Sequence, residues 1–324
     1  MSSTVFGMVS SYGGLNQTDW LWKQSPEPFG VWKNIQLIAN HPSPDAMLLY
    51  QFDFPRKQRG ALKSWRDRIF RKKPSSPVDL AVTLRQVPPT KRLYLMREPP
   101  LDEVVPTNKR NYRLASQHCA YVSGPDELAP VPDYMPAIWY VNVPFADLAQ
   151  QPPPPKPSAC SWVTSGISRT QNHRDRLAFL RQLRQSSVTF DLYGRGLPDW
   201  SHPRGTLRNK WHGLAPYRYN LAIENYADND WYVSEKLWDA LLSWCLPIYY
   251  GGPAADRLLP PGSFLRLPSM DERGIAFIQE TIASPDAWYE AKDAIAEARQ
   301  IILHELNLLN WLSNYDKKQW GNAA

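Results

Sequence analysis

The sequence predicts an α/β protein built from two similar halves. The chain has 324 residues, enough for two domains of about 150 residues that each bury a core. A proline run, Gln150-Gln151-Pro152-Pro153-Pro154-Pro155-Lys156-Pro157-Ser158, divides it near the middle. On both sides of that run, short apolar segments alternate with segments of helical periodicity. The proline run must be extended and cannot continue a helix or a central strand, so residues 150–158 read as a linker between halves 1–149 and 159–324. Alternation of strands and helices implies parallel sheets with right-handed crossovers.

In the first half, strand character is found at 5–9, 47–52, 78–84, 93–96 and 118–122, with loops and short helical stretches between. In the second, 160–164 reads as a strand, 175–185 as a helix and 188–193 as a strand. Tyr217-Arg218-Tyr219-Asn220-Leu221-Ala222-Ile223 follows, apolar and aromatic as a buried strand should be, and ends in Glu224 and Asn225. Ser234 can cap a helix in which Leu237, Leu241 and Trp244 recur at helical spacing until Pro247 stops the pattern. The last helical region, 287–320, is long enough to cross back onto the first half.

Composition narrows the function. A net charge of +6 suits anionic substrates or lipid surfaces. The basic residues are scattered, with no helix-turn-helix, RNA-recognition or zinc-finger pattern, which argues against nucleic acid as a partner. The 14 Trp and 16 Tyr suit packing against pyranose rings as well as ordinary core filling. Cys119, Cys160 and Cys245 have neither metal-ligand spacing nor a disulfide framework, which favours a reducing compartment. The N-terminus lacks the charged and long apolar regions of a signal peptide, and no run of eighteen apolar residues occurs; a cytoplasmic protein is expected. The basic amphipathic run from Leu62 to Lys73 suits either peripheral contact with an anionic inner membrane face or a surface helix with its apolar side on the core.

The segment from Tyr217 to Trp238 carries the chemistry. Lys236 falls in the first turn of a helix, where the macrodipole disfavours a cation by about 0.3–1 kcal/mol unless an anion lies beside it. A phosphate there removes the conflict, and the motif reads as the donor site for an anionic nucleotide-sugar. Glu235 can accept a pair of sugar hydroxyls, Asn225 can reach nucleotide or sugar hydroxyls, and Tyr232 can pack or hydrogen-bond at the same loop. Glu224 either faces the crevice at the carboxyl end of its strand or holds the loop through backbone amides. Asp228-Asn229-Asp230 has the Asp-x-Asp form of metal-dependent sugar transferases, a weak three-residue pattern.

This segment resembles the signature of glycosyltransferase family 10, the α-1,3-fucosyltransferases, which has an aromatic strand, Phe-Glu-Asn, a loop and Tyr-Val-Thr-Glu-Lys-Leu. Ile223 and Ser234 replace Phe and Thr. The resemblance continues through Pro247-Ile248-Tyr249-Tyr250-Gly251-Gly252-Pro253 and Leu259-Pro260-Pro261-Gly262-Ser263-Phe264. It implies a GT-B architecture, two Rossmann-like domains facing a central cleft, with the acceptor on the first and GDP-fucose on the second. It also implies a chain of the soluble bacterial type and an inverting, metal-independent transfer of fucose from GDP-β-L-fucose to an oligosaccharide or lipid-linked glycan, by family habit α-1,3 to N-acetylglucosamine or glucose. Another GDP-sugar as donor, or a glycan- or nucleotide-binding protein without activity, are the alternatives. By resemblance Arg176 binds the pyrophosphate, with Arg174 close enough to be the true match, and Lys236 joins it. Glu98, before Pro99-Pro100 where the family has Glu-Ser-Pro, matches the general base, with Asp102 and Glu103 as competitors.

Overall fold

The computed structural model describes residues 3–12, 19–55 and 80–321. The basic run from Leu62 to Lys73 lies outside these residues. Strands β1 (Thr4–Val9), β2 (Val31–Trp32), β3 (Ile35–Leu37), β4 (Ala46–Tyr50), β5 (Arg92–Leu95), β6 (Tyr121–Gly124) and β7 (Val131–Pro132) form one sheet in the order β2-β3-β1-β4-β5-β6-β7. Every pairing is parallel except β2 with β3. All five residues of β4 are buried, as a strand covered on both faces requires. Helices α1 (Asp19–Trp22), α2 (Leu80–Thr83), α3 (Val105–His118) and α4 (Phe145–Gln150) accompany this sheet.

A second, fully parallel sheet is made of β8 (Ser158–Val163), β9 (Asp191–Tyr193), β10 (Tyr217–Ile223), β11 (Leu246–Tyr250) and β12 (Leu265–Arg266), in the order β12-β11-β10-β8-β9. From β8 the chain first goes to one side, to β9, and then to the other, to β10. The crevice between the carboxyl ends of β8 and β10 is therefore the topological switch point, where open α/β sheets bind ligands. The crossovers are α5 (Gln171–Gln185), α6 (Glu235–Leu242) and α7 (Ala254–Leu258), followed by α8 (Glu272–Ala283), α9 (Asp286–Glu290), α10 (Lys292–Gln300) and α11 (Leu308–Trp320). Leu237, Trp238, Leu241 and Leu242 bury one face of α6 against β10 and β11.

Two expectations need correction. The strand at 78–84 is, over its described part, the short helix α2, and Val82 is 72 % exposed; apolar residues alone do not make a strand where no partner strand reaches them. The strand at 118–122 begins later, at Tyr121, because α3 runs through His118. The final helical region does cross back. A π-turn at Ile301–Glu305 separates α10 from α11, and α11 packs on β2 and β3. There Asn34 donates to Asp316 (2.5 Å) and accepts from Ser313 (2.6 Å), and Lys33 donates to Asn310 (3.1 Å). Among the described residues, no helix is long and apolar enough to cross a membrane.

The linker is seated on the second half. Lys156 donates to the Ser243 carbonyl at 2.6 Å, and burial pushes its ammonium pKa down. The three cysteines are all buried and free.

Candidate functional site

The carboxyl edges of the two sheets line one cleft. Arg97 and Glu98 follow β5, Tyr12 follows β1, Arg195 follows β9 and Asn225 follows β10; all line a cavity of about 610 Å³ together with Tyr232, Glu235 and Lys236. A deeper cavity of about 280 Å³ opens at the switch point, where Thr164 and Ser165 after β8 face Asn225, Arg176 and Lys236. Gly194 forms part of its wall with φ +151°, and a Cβ there would overlap the Thr164 carbonyl oxygen, so only glycine lets the two loops meet.

Arg176, on the inner face of α5, is 3 % exposed. Its Nη1 donates to Asn225 Oδ1 and its Nη2 to the Ser165 carbonyl at 3.2 Å, while Nε has no partner among the described residues. No carboxylate pairs with it there, and burial lowers its pKa. Arg174 is different: half-exposed, it bonds Gln171 and approaches Glu103 at 3.8 Å. Of the two arginines, it is Arg176 that the fold turns into the cavity.

Lys236 does occupy the first turn of α6, capped by Ser234. The cation's conflict with the helix dipole is met inside the protein, without a bound phosphate: Lys236 Nζ donates to Glu224 Oε2 at 3.0 Å and to Ser234 Oγ at 3.1 Å. Glu224 is fully buried and also accepts from the Ser234 amide (2.8 Å) and hydroxyl (2.7 Å). Of the two readings of Glu224, the loop-holding one matches the geometry. The crevice-facing one does not, because both oxygens are spent on Ser234 and Lys236.

Glu235 is an ionised junction. Arg97 Nη2 donates to it at 2.6 Å and Lys210 Nζ lies 3.9 Å away. Burial alone would raise its pKa, but Lys236, Arg97 and Lys210 hold it well below the usual carboxylate range. Lys210 also pairs with buried Asp239 at 2.7 Å, whose other oxygen accepts from the amides of Tyr140 and Val141. Helix α6 is thereby fastened to the chain leaving the first half. Tyr232 is buried, and its amide is held by Asn229 Oδ1 at 2.9 Å. Asn229 Nδ2 reaches back to the Pro125 carbonyl of the first half at 2.7 Å, and Asp230 lies 4.0 Å from Arg257, so this Asp-x-Asp stretch works as a loop tie.

Glu98 enters the cleft from the opposite side. The Gln51 carboxamide oxygen accepts from the amides of Arg97 (2.9 Å) and Glu98 (3.1 Å), fixing the turn that ends β5. The Tyr12 hydroxyl donates to Glu98 Oε1 at 2.9 Å. Burial, and then Glu98 itself, raise the Tyr12 pKa, so the phenol stays a donor. The competitors are placed elsewhere. Glu103 Oε1 accepts from the Gln171 amide at 2.8 Å, a carboxylate seated on the N-terminus of α5, and Asp102 is exposed and does not line the cavity.

Sequence reasoning missed Tyr12, Gln51, Arg97, His173 and Lys210. Tyr12, Gln51 and Arg97 lie within a few residues of the carboxyl ends of strands, the one signal that was available. His173 lines the switch-point cavity, where burial, then Arg176, Lys236 and Arg169, push its imidazole down to about 4. A neutral imidazole among cations marks a basin of positive potential.

Comparison with known proteins bears on the fold and on the second half. Residues 153–279 match the family model described as glycosyltransferase family 10 (fucosyltransferase) C-term. Alpha-(1,3)-fucosyltransferase 4 of Homo sapiens is 35 % identical over 115 residues, and 4-galactosyl-N-acetylglucosaminide 3-alpha-L-fucosyltransferase FUT6 of Pongo pygmaeus is 30 % identical over 130. The matched stretches cover 35 % and 38 % of this chain, and only 20 % and 33 % of those relatives. Among solved structures, an alpha1,3-fucosyltransferase superposes with a TM-score of 0.51 at 16 % identity, covering 100 % of this chain and 91 % of that one. An alpha-glucosyltransferase in complex with UDP superposes at 0.54 with 8 % identity, covering 97 % and 99 %. These likenesses show the fold, which is GT-B. Over residues 153–279 the chain is similar to the C-terminal domain of glycosyltransferase family 10.

Proposed function

We propose that the chain is an inverting, metal-independent fucosyltransferase that moves L-fucose from GDP-β-L-fucose to a glycan hydroxyl, with α-1,3 attachment to N-acetylglucosamine or glucose. The observation that carries this reading is the cleft itself: Glu98 from one sheet edge shares a cavity with Asn225, Glu235 and Lys236 from the other.

The diphosphate lies at the switch point against Arg176 and Lys236. As the bond from fucose C1 to the β-phosphate oxygen breaks, the electron pair leaves with GDP. The Arg176 guanidinium and Lys236 ammonium meet that charge in a site already organised to hold it. Asn225 and Glu235 take hydroxyls of the ribose or fucose, and Tyr232 closes the loop side. The acceptor oxygen attacks C1 from the opposite face while Glu98 takes its proton, so a β-linked donor gives an α-linked product. Tyr12 occupies Glu98 Oε1 and orients the carboxylate, leaving Oε2 without a protein donor among the described residues. In this reading Arg176 and Lys236 supply the positive charge that a divalent metal would otherwise bring to the diphosphate.

The test is donor hydrolysis and transfer with a panel of GDP- and UDP-sugars, with and without chelator, using mixed oligosaccharide acceptors. Fucose transfer that survives chelation supports the reading. Transfer from another nucleotide-sugar, or loss on chelation, corrects it, and tight GDP-fucose binding without turnover favours a binding protein.

A further inference from the structure

A third cavity, of about 570 Å³, adjoins the Glu98 cleft, within the roughly 300–1,000 Å³ of small-ligand sites. It shares Tyr12, Tyr140, Arg195 and Arg208 with the cleft, so a molecule filling it can extend to Glu98. Its wall is partly aromatic. The half-buried Trp20 ring stacks on Tyr140, centroids 5.6 Å apart and 13° from parallel, and Trp139 lies next to it. The indole N–H groups of Trp20 and Trp139 have no hydrogen-bond partner among the described residues.

The rest of the wall mixes neutral Gln24, Val141 and Asn142 with three cations. Lys23, Arg195 and Arg208 all line the cavity, and no carboxylate does among the described lining residues. The cleft floor next to it behaves differently, because Lys236 pairs with Glu224, Arg97 with Glu235 and Lys210 with Asp239. Among the described residues, the Lys23 ammonium has only Asn142 as a polar partner, at 2.6 Å, and neither Arg195 nor Arg208 forms an ion pair. Three exposed cations line this cavity with no carboxylate among its described lining residues, which favours a negatively charged ligand there. Arg195 also borders the diphosphate cavity, but Arg208 and Lys23 do not, so those two are not spent on the donor.

We propose that the acceptor is an anionic glycan, with its sugar packed against Trp20 and Tyr140 and its carboxylate or phosphate ester held by Arg208, Lys23 and Arg195. This deepens the transferase reading above and rests on it. The charge sits on the acceptor within reach of the hydroxyl that meets Glu98, and it sets which acceptors enter.

The test compares three acceptors on the full chain: a neutral disaccharide ending in N-acetylglucosamine, the same disaccharide with a hexuronic acid, and the same disaccharide with a phosphate ester. We expect kcat/KM to be about 10-fold or more higher for at least one anionic form, and the preference to shrink as ionic strength rises. Which anionic form wins separates a carboxylated glycan from a phosphate-bearing one. Arg208→Glu, and separately Lys23→Glu, are expected to lower the ratio of anionic to neutral kcat/KM about 10-fold, without moving the KM for GDP-fucose. Equal kcat/KM for all three acceptors, or an unchanged ratio in both variants, overturns the proposal. Equilibrium titration of the same acceptors, read by tryptophan fluorescence with GDP present, separates this idea from its parent. Charge-selective binding without any transfer sinks the transferase reading and leaves the anion site standing; binding without charge preference sinks the anion site.

Discussion

The carboxyl edges of the two sheets face the same cleft and are built in opposite ways. The edge of the second sheet is rich in cations, and it treats two of them differently. Lys236 has a buried carboxylate of its own, Glu224, while Arg176 has only neutral oxygens from Asn225 and Ser165. Among the described lining residues, the edge of the first sheet presents one carboxylate, Glu98, which accepts from a neutral phenol while Gln51 holds the backbone of its turn. Lys236 is therefore fixed before any ligand arrives, and Arg176 is left short of negative charge. The comparison assigns binding to one edge and proton transfer to the other, so the two should be separable by substitution.

The largest expected effect breaks the first edge alone. Glu98→Gln keeps the shape and removes the base, so transfer should fall by about 10²–10⁴, measured as initial rate at saturating donor and acceptor. Next comes the support under the second edge. Glu224→Ala strands the Lys236 ammonium and frees the Ser234 amide, and should cost about 3–5 kcal/mol of folding stability, read from denaturant midpoints. An effect below 1 kcal/mol would mean that Lys236 finds water instead.

Arg176→Met sharpens the contrast within the second edge. It should weaken GDP-fucose binding roughly 10- to 100-fold, the worth of charge-assisted hydrogen bonds. Because it removes a buried charge with no carboxylate partner, thermal stability should stay level or rise. Stability lost in parallel with binding would show Arg176 to be structural.

The smallest effect is a pH dependence. The His173 imidazole sits at about 4 in the folded chain, below its ordinary value near 6.5. The unfolded chain thus binds more protons between those values, and His173 withdraws stability as pH falls through that window. A diphosphate beside it favours the imidazolium, so GDP-fucose, which has no phosphate proton to lose in that range, should bind a few-fold more tightly as pH falls from about 6.5 towards 4. His173→Gln should flatten that slope, and an unchanged slope would remove His173 from the site.

The two halves also differed in how legible they were. In the second half, helix caps, strand runs and the Glu-Asn and Glu-Lys pairs are local patterns, and they place Asn225, Glu235 and Lys236 at the switch-point crevice because strand order does the rest. What Lys236 is paired with was not local. Glu224 lies twelve residues earlier, and only the close approach of the β10 end to the start of α6 shows that its carboxylate turns inward. In the first half, the residues around Glu98 come from three separate strand ends, Tyr12, Gln51 and Arg97, and a lone tyrosine or glutamine after a strand carries no pattern. Arg97 was missed because its partner, Glu235, is reached across the cleft, and Lys210 because its partners, Glu235 and Asp239, come much later in the chain. The short helix α2 was misread because a four-residue apolar stretch has no period of its own.

The most direct test of this division is to titrate GDP-fucose into Glu98→Gln and Arg176→Met side by side. The account predicts an affinity within about two-fold of the parent chain for the first and at least about 10-fold weaker for the second. Equal weakening in both variants would contradict it, because one edge could not then be assigned to binding and the other to proton transfer.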